Sequence, residues 1–125
     1  MNAVFATAFG GALGAVMRYC VVAASSRLHD FIPYGTLIVN IAGCFFIGFL
    51  MELGALKWQI SNEMRAFLVT GMLGGFTTFS AFSFDFFKLV ETNHVMAAAS
   101  YVAASVFLSL LAVFAGVWIV RGVFA

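Results

Sequence analysis

The sequence predicts an all-α integral membrane protein with four transmembrane helices, the third of them broken, and three observations carry that prediction. The 125 residues are 64% hydrophobic and only 9% charged, with a mean hydropathy of +1.10, whereas a soluble domain carries about 25% charged residues. Residues 1–17, 31–51, 66–84 and 92–120 contain no Asp, Glu, Lys or Arg. Each run is close to, or longer than, the roughly 20 residues a helix needs to cross the hydrocarbon core. The third run is interrupted by Gly71-Met72-Leu73-Gly74-Gly75-Phe76-Thr77-Thr78-Phe79-Ser80-Ala81-Phe82-Ser83. Lipid offers no water to a free backbone group, so unwound chain is tolerated there only where it lines a cavity or holds an ion.

The elements follow in order. Span 1 covers about 3–25 and contains Gly10 to Ala15, then Arg18-Tyr19. A cleaved signal peptide needs a basic start and a short apolar core. Here the first charge is Arg18, deep in the apolar stretch, so the segment reads as a span. Residues 27–33 connect, and the only proline, Pro33, marks entry to span 2 at about 34–54, which contains Thr36 and Asn40. Residues 55–62 connect again, with Ser61 or Asn62 suited to cap a helix ahead of Glu63. The segment 63–90 is too long for one straight span, which predicts two half-helices joined by a break near 74–77. Span 4 covers about 94–121. There is no repeat and no second domain, so residues 1–125 form a single four-span unit.

Charge and size bear on assembly. With four spans, one side holds Lys57, Arg65 and Arg121 and the other Arg27 and Lys88, almost no positive-inside bias. Either Arg18 or a partner decides the orientation, or the chain inserts both ways and pairs with an inverted copy as a dual-topology homodimer. An inverted pair has eight helices and the repeat symmetry that larger transporters encode in one chain. Gly10/Gly14 and Gly71/Gly75 are both GxxxG pairs, which say that helices touch but not which ones.

Polar groups inside a membrane are costly and are functional candidates by default. Arg18 reads as a snorkelling residue with a structural partner or as an attractor of anions in a watery vestibule. Asn40 reads as a helix-gluing amide or a pore-lining donor. Tyr101, Ser105 and Ser109 share one face of span 4 at four-residue spacing. They form either a polar track of hydroxyl donors or hydroxyls bonded to their own helix. Phe79, Phe82 and Phe86 form a stripe beside Ser80 and Ser83. A phenyl ring has a positive edge, so ring hydrogens can face an anion without holding it too tightly for conduction. Packing against lipid or core is the other reading.

Absences narrow the class. Glu52, Glu63, Asp85 and Glu91 lie at or near predicted span ends, Asp85 deepest, so no carboxylate sits mid-membrane as a proton-coupled exporter would need. No nucleophile–histidine pair, metal cluster or phosphate loop exists, so no enzyme and no nucleic-acid partner is expected. Cys20 and Cys44 form no CxxC and read as small buried hydrophobes. His29 and His94 read as solvated loop residues.

Three motifs in order, Gly10-Gly11-Ala12-Leu13-Gly14-Ala15-Val16-Met17-Arg18-Tyr19, Gly35-Thr36-Leu37-Ile38-Val39-Asn40 and Gly74 to Ser83, resemble those of the Fluc (CrcB) fluoride-channel family over essentially the whole chain. The resemblance implies a passive fluoride channel of a bacterial inner (plasma) membrane, built as an antiparallel homodimer with two fluoride pathways. On that resemblance Phe79 and Phe82 line the pores, with Ser80 and Ser83 beside them. Asn40 is the pore asparagine, Tyr101, Ser105 and Ser109 the polar track, and Arg18 the span-1 arginine. The backbone carbonyls of Gly74 and Thr77 are then expected to hold a structural Na⁺ at the dimer centre. Ala81 departs from the family's usual threonine, so a hydroxyl there is lost or supplied by Ser80 or Ser83. The rival classes are a small dual-topology transporter, which would depend on Asp85, and a membrane assembly protein in which Phe79 and Phe82 merely pack.

Overall fold

The computed structural model describes residues 2–27 and 31–125; His29 therefore lies outside the described residues. Helix α1 spans Ala3–Ser25, opened by Asn2, whose side chain accepts the Phe5 N–H. Helix α2 spans Tyr34–Leu56 directly after Pro33, two residues longer than expected. Ser61 caps the third span by accepting the Met64 N–H at 3.1 Å. That span then runs without interruption through α3 (Asn62–Arg65), a π-helical stretch (Ala66–Leu73) and α4 (Gly74–Phe76). Helix α5 is Phe79–Glu91 and α6 is Val95–Phe124. Together these give four helical segments long and apolar enough to cross a membrane, the third being 62–91 with its bend inside.

The break differs in detail from expectation. Gly74 has helical torsions, φ −63° and ψ −38°, and the extended residues are Thr77 (ψ 158°) and Thr78 (φ −155°, ψ 125°). The joint thus overlaps the expected 74–77 only at Thr77. The glycines serve another purpose. A Cβ on Gly10 would strike the Phe67 carbonyl, and one on Gly14 the Met72 carbonyl. One on Gly71 would stand 2.7 Å from the Thr7 oxygen, and one on Gly75 2.7 Å from the Gly11 oxygen. The two GxxxG pairs therefore meet each other, seating α1 against the first half of span 3 at backbone contact, where small residues let membrane helices pack. A second close seam joins α2 to α6, where Gly48 lies on the Val113 carbonyl and Gly116 on the Phe45 carbonyl.

Helix α5 packs mainly on α6, around Leu89, Ala98 and Tyr101. The turn between them places Asn93 in the left-handed region, φ 64°, which asparagine tolerates and β-branched residues do not. Asn93→Val is expected to destabilise the α5–α6 hairpin by about 1–2 kcal/mol, read as a lowered unfolding midpoint in detergent, while Asn93→Gly stays near wild type; equal midpoints for both would remove the strain account. His94 is not a free loop residue. Its ring stacks on Phe31 with centroids 4.1 Å apart, and its Nδ1 lies 2.9 Å from Thr92 Oγ1. Neither cysteine is buried: Cys20 is exposed on α1 and Cys44 is half-buried on α2. At the far end of α2, Arg121 Nε donates to Glu52 Oε1 at 2.9 Å, an exposed pair whose contribution solvent screening keeps small.

Candidate functional site

The break is held open from both sides by side chains of other helices. Asn40 Nδ2 donates to the Thr78 carbonyl at 3.1 Å, while Asn40 Oδ1 accepts the Thr78 N–H at 2.8 Å. In an unbroken helix that N–H would reach the Gly74 carbonyl, four residues back. From α1, Arg18 Nε donates to the Gly75 carbonyl at 3.0 Å. Thr78 Oγ1 accepts the Ala81 N–H and so caps α5, and Thr77 Oγ1 donates back to the Leu73 carbonyl. A long-range amide, a guanidinium and a capping threonine therefore satisfy the Gly75 and Thr78 carbonyls and the Thr78 and Ala81 N–H groups, as a low-dielectric setting favours. Arg18 accordingly has the structural partner that one of its two readings called for.

Beside the joint lies a groove of about 300 Å³, lined by Asn40, Cys44, Thr77, Thr78, Phe79, Phe82, Ser105, Val106, Ser109 and Leu110. Five of the expected pathway residues thus converge on one space: Asn40 from α2, Phe79 and Phe82 from α5, and Ser105 and Ser109 from α6. Tyr101 is not part of this lining. The phenol donates to Asp85 Oδ2 at 3.2 Å, and its ring packs 5.3 Å from that of Phe82. Phe79 and Phe82 sit 5.4 Å apart with planes inclined at 50°. Ser80 and Ser83 are not part of this lining. Ser80 Oγ lies 3.3 Å from Thr78 Oγ1, and Ser83 Oγ donates to the Phe79 carbonyl.

Two features of the groove set its chemistry. Among the described residues its lining carries no charged side chain. And Ser105, only 6% exposed, has an Oγ with no hydrogen-bond partner among them. A buried unsatisfied hydroxyl costs roughly 1–3 kcal/mol and is expected to take a partner when one arrives. Cys44 was not recognised as a site residue from the sequence, yet a signal was present. Thr36, Asn40 and Cys44 fall at i, i+4 and i+8 on α2, the same spacing as Tyr101, Ser105 and Ser109 on α6. The two stripes face each other.

On the other side of the joint, a smaller cavity of about 160 Å³ is lined by Gly43, Cys44, Ile47, Val69, Leu73, Gly74 and Thr77. The Gly74 carbonyl has lost its Thr78 donor to Asn40, and Gly74 itself is exposed. Backbone oxygens are ligands of the hard kind. No group of three or more histidine, cysteine or carboxylate side chains is available to a metal among the described residues.

Four apolar helical segments, the third bent beside this groove, make the chain a multi-pass membrane protein. The chain belongs to the CrcB/FluC fluoride-channel family. The family model described as "CrcB-like protein, Camphor Resistance (CrcB)" matches residues 5–117. A "Fluoride-specific ion channel FluC" of Rhizobium meliloti (strain 1021) is 50% identical over 97% of this chain and 98% of its own length. Proteins of the same description from Chelativorans sp. (strain BNC1) and Agrobacterium fabrum are each 52% identical, over 91% and 94% of this chain. The family is one of channels, and membership makes this chain a channel-family protein rather than an enzyme.

Proposed function

We propose that the chain is a passive, fluoride-selective channel that works as an inverted homodimer in a bacterial inner (plasma) membrane, letting fluoride that entered as the neutral acid leave as the ion. The single observation that carries this reading is that Ser105, whose buried hydroxyl has no partner among the described residues, lines a groove walled by Asn40, Phe79 and Phe82. Fluoride is small and strongly hydrated, so a route must replace its water with donors. Ser105 and Ser109 offer O–H groups. Asn40 retains one amide N–H beyond the one given to Thr78. The phenyl edges add weak positive potential. No fixed cation lines the groove, so binding stays weak enough for release.

The need for a second copy follows from the open wall. Phe79 is 78% exposed, and a polar route through lipid must be closed by protein. A second, inverted copy supplies that wall and agrees with the even distribution of basic residues. The cavity at Gly74 and Thr77 suits a Na⁺ shared between two such joints, held by the carbonyl oxygens of both copies. That ion would supply positive charge near the anion path.

The test is fluoride efflux from liposomes containing purified protein, with chloride as the control ion; efflux no faster than from protein-free vesicles defeats the channel reading. Phe82→Ile is expected to lower fluoride flux by about tenfold or more, because an aliphatic side chain fills similar space without a positive ring edge. Flux unchanged in a Phe82→Ile protein of normal oligomeric size would remove the ring from the pathway.

A further inference from the structure

We propose that Cys44 is a modification site inside the groove, at which small thiol-directed sulfenylating reagents, the alkyl methanethiosulfonates, stop ion passage. The proposal rests on the groove being the ion route and adds to it a chemical handle.

Cys44 stands one turn beyond Asn40 on α2 and lines the 300 Å³ groove. It and Thr77 also line the 160 Å³ cavity across the joint, so the thiol lies at the wall the two spaces share. Cys44 is half-buried and in no disulfide. The second, independent sign that this space accepts a small polar guest is Ser105, which lines the same groove, is more than nine-tenths buried and has an Oγ without a partner among the described residues. A groove of 300 Å³ corresponds to about ten waters at roughly 30 Å³ each. That is ample for a reagent of a few heavy atoms, and for the water that must take up the thiol proton.

The chemistry balances within the pair of reactants. Cys44 loses its proton to water, since the thiolate is the nucleophile. The thiolate attacks the sulfenyl sulfur of the reagent and a new S–S bond forms. The S–S bond to the sulfonyl group breaks, and methanesulfinate leaves with the electron pair. The cysteine sulfur is oxidised and the sulfonyl sulfur reduced, so no further oxidant is needed. The added alkylthio group then projects beside Asn40 and opposite Ser105. It displaces the water and blocks the donors that an entering anion needs.

The experiment uses the full chain in liposomes. Cys20 is exposed on α1 and lines neither cavity, so Cys20→Ser leaves Cys44 as the sole thiol. Methyl methanethiosulfonate is expected to add one methylthio group by intact mass and to lower fluoride efflux by about tenfold or more, with recovery on adding dithiothreitol. In Cys44→Ser, with Cys44→Ala as a second variant in case serine perturbs folding, the reagent is expected to label Cys20 and leave efflux at that variant's own untreated rate. A labelled Cys44 with unaltered efflux, or an unlabelled Cys44 in a conducting protein whose Cys20 reacts, would overturn the proposal alone. Absence of fluoride efflux before any treatment would overturn the channel reading and the proposed block with it, and the mass readout tells these failures apart.

Discussion

Asn40→Asp is expected to lower fluoride efflux by about a hundredfold, a barrier increase of roughly 2.7 kcal/mol, while leaving the protein folded. The change is isosteric, so packing around α2 is preserved. What it removes is the donor half of the clamp on Thr78. A carboxylate accepts only, so its second oxygen would face the Thr78 carbonyl where Nδ2 now stands at 3.1 Å. Leaving that carbonyl unpaired costs roughly 1–3 kcal/mol, and the new negative charge lies on the wall along which an anion must pass. Protonation of the aspartic acid would restore a donor and remove the charge, so flux is expected to recover partly as pH falls. Efflux by Asn40→Asp at the wild-type rate at neutral pH would separate the clamp from conduction.

Gly14→Val is expected to prevent folding outright. A Cβ there meets the Met72 carbonyl and the Phe76 nitrogen, both backbone, so no side chain can move aside. To admit valine, α1 and the first half of span 3 must part along their whole seam. The cost lies beyond the roughly 1–3 kcal/mol typical of overpacking. The measurement is the yield of monodisperse protein on size exclusion, compared with Gly122→Val, where a Cβ meets nothing within 4 Å. Comparable yields from the two variants would contradict the packing described for α1.

The sequence made the coarse architecture legible because charge is so costly in lipid. Four uncharged runs mark four spans, Pro33 marks where the second helix begins, and Ser61 or Asn62 the third, the structure choosing Ser61. The position of the joint was legible only to within a few residues, because a glycine pair has two possible uses and composition does not distinguish them. Gly71 and Gly75 are small so that α1 can approach; the unwinding falls to Thr77 and Thr78, which carry their own hydroxyl partners. The π-helical stretch at Ala66–Leu73 left no periodic trace in so uniformly apolar a segment. For Asn40 the residue was identifiable but its partner was not, since pairing with Thr78 joins positions 38 apart in sequence. The groove-lining role of Cys44 went unread although its four-residue spacing from Asn40 was visible, because a lone thiol in an apolar helix is ordinarily just filler.

The reciprocal pairing of Asn40 with Thr78 also bears on the order of assembly. The amide side chain imitates a strand-pairing backbone, meeting both the donor and the acceptor of one peptide group, and it does so within a single chain. Together with the hold of Arg18 on Gly75, this places these clamps on the bend within one copy. In the inverted homodimer proposed above, each copy would then bring to the interface a bend already clamped by its own side chains.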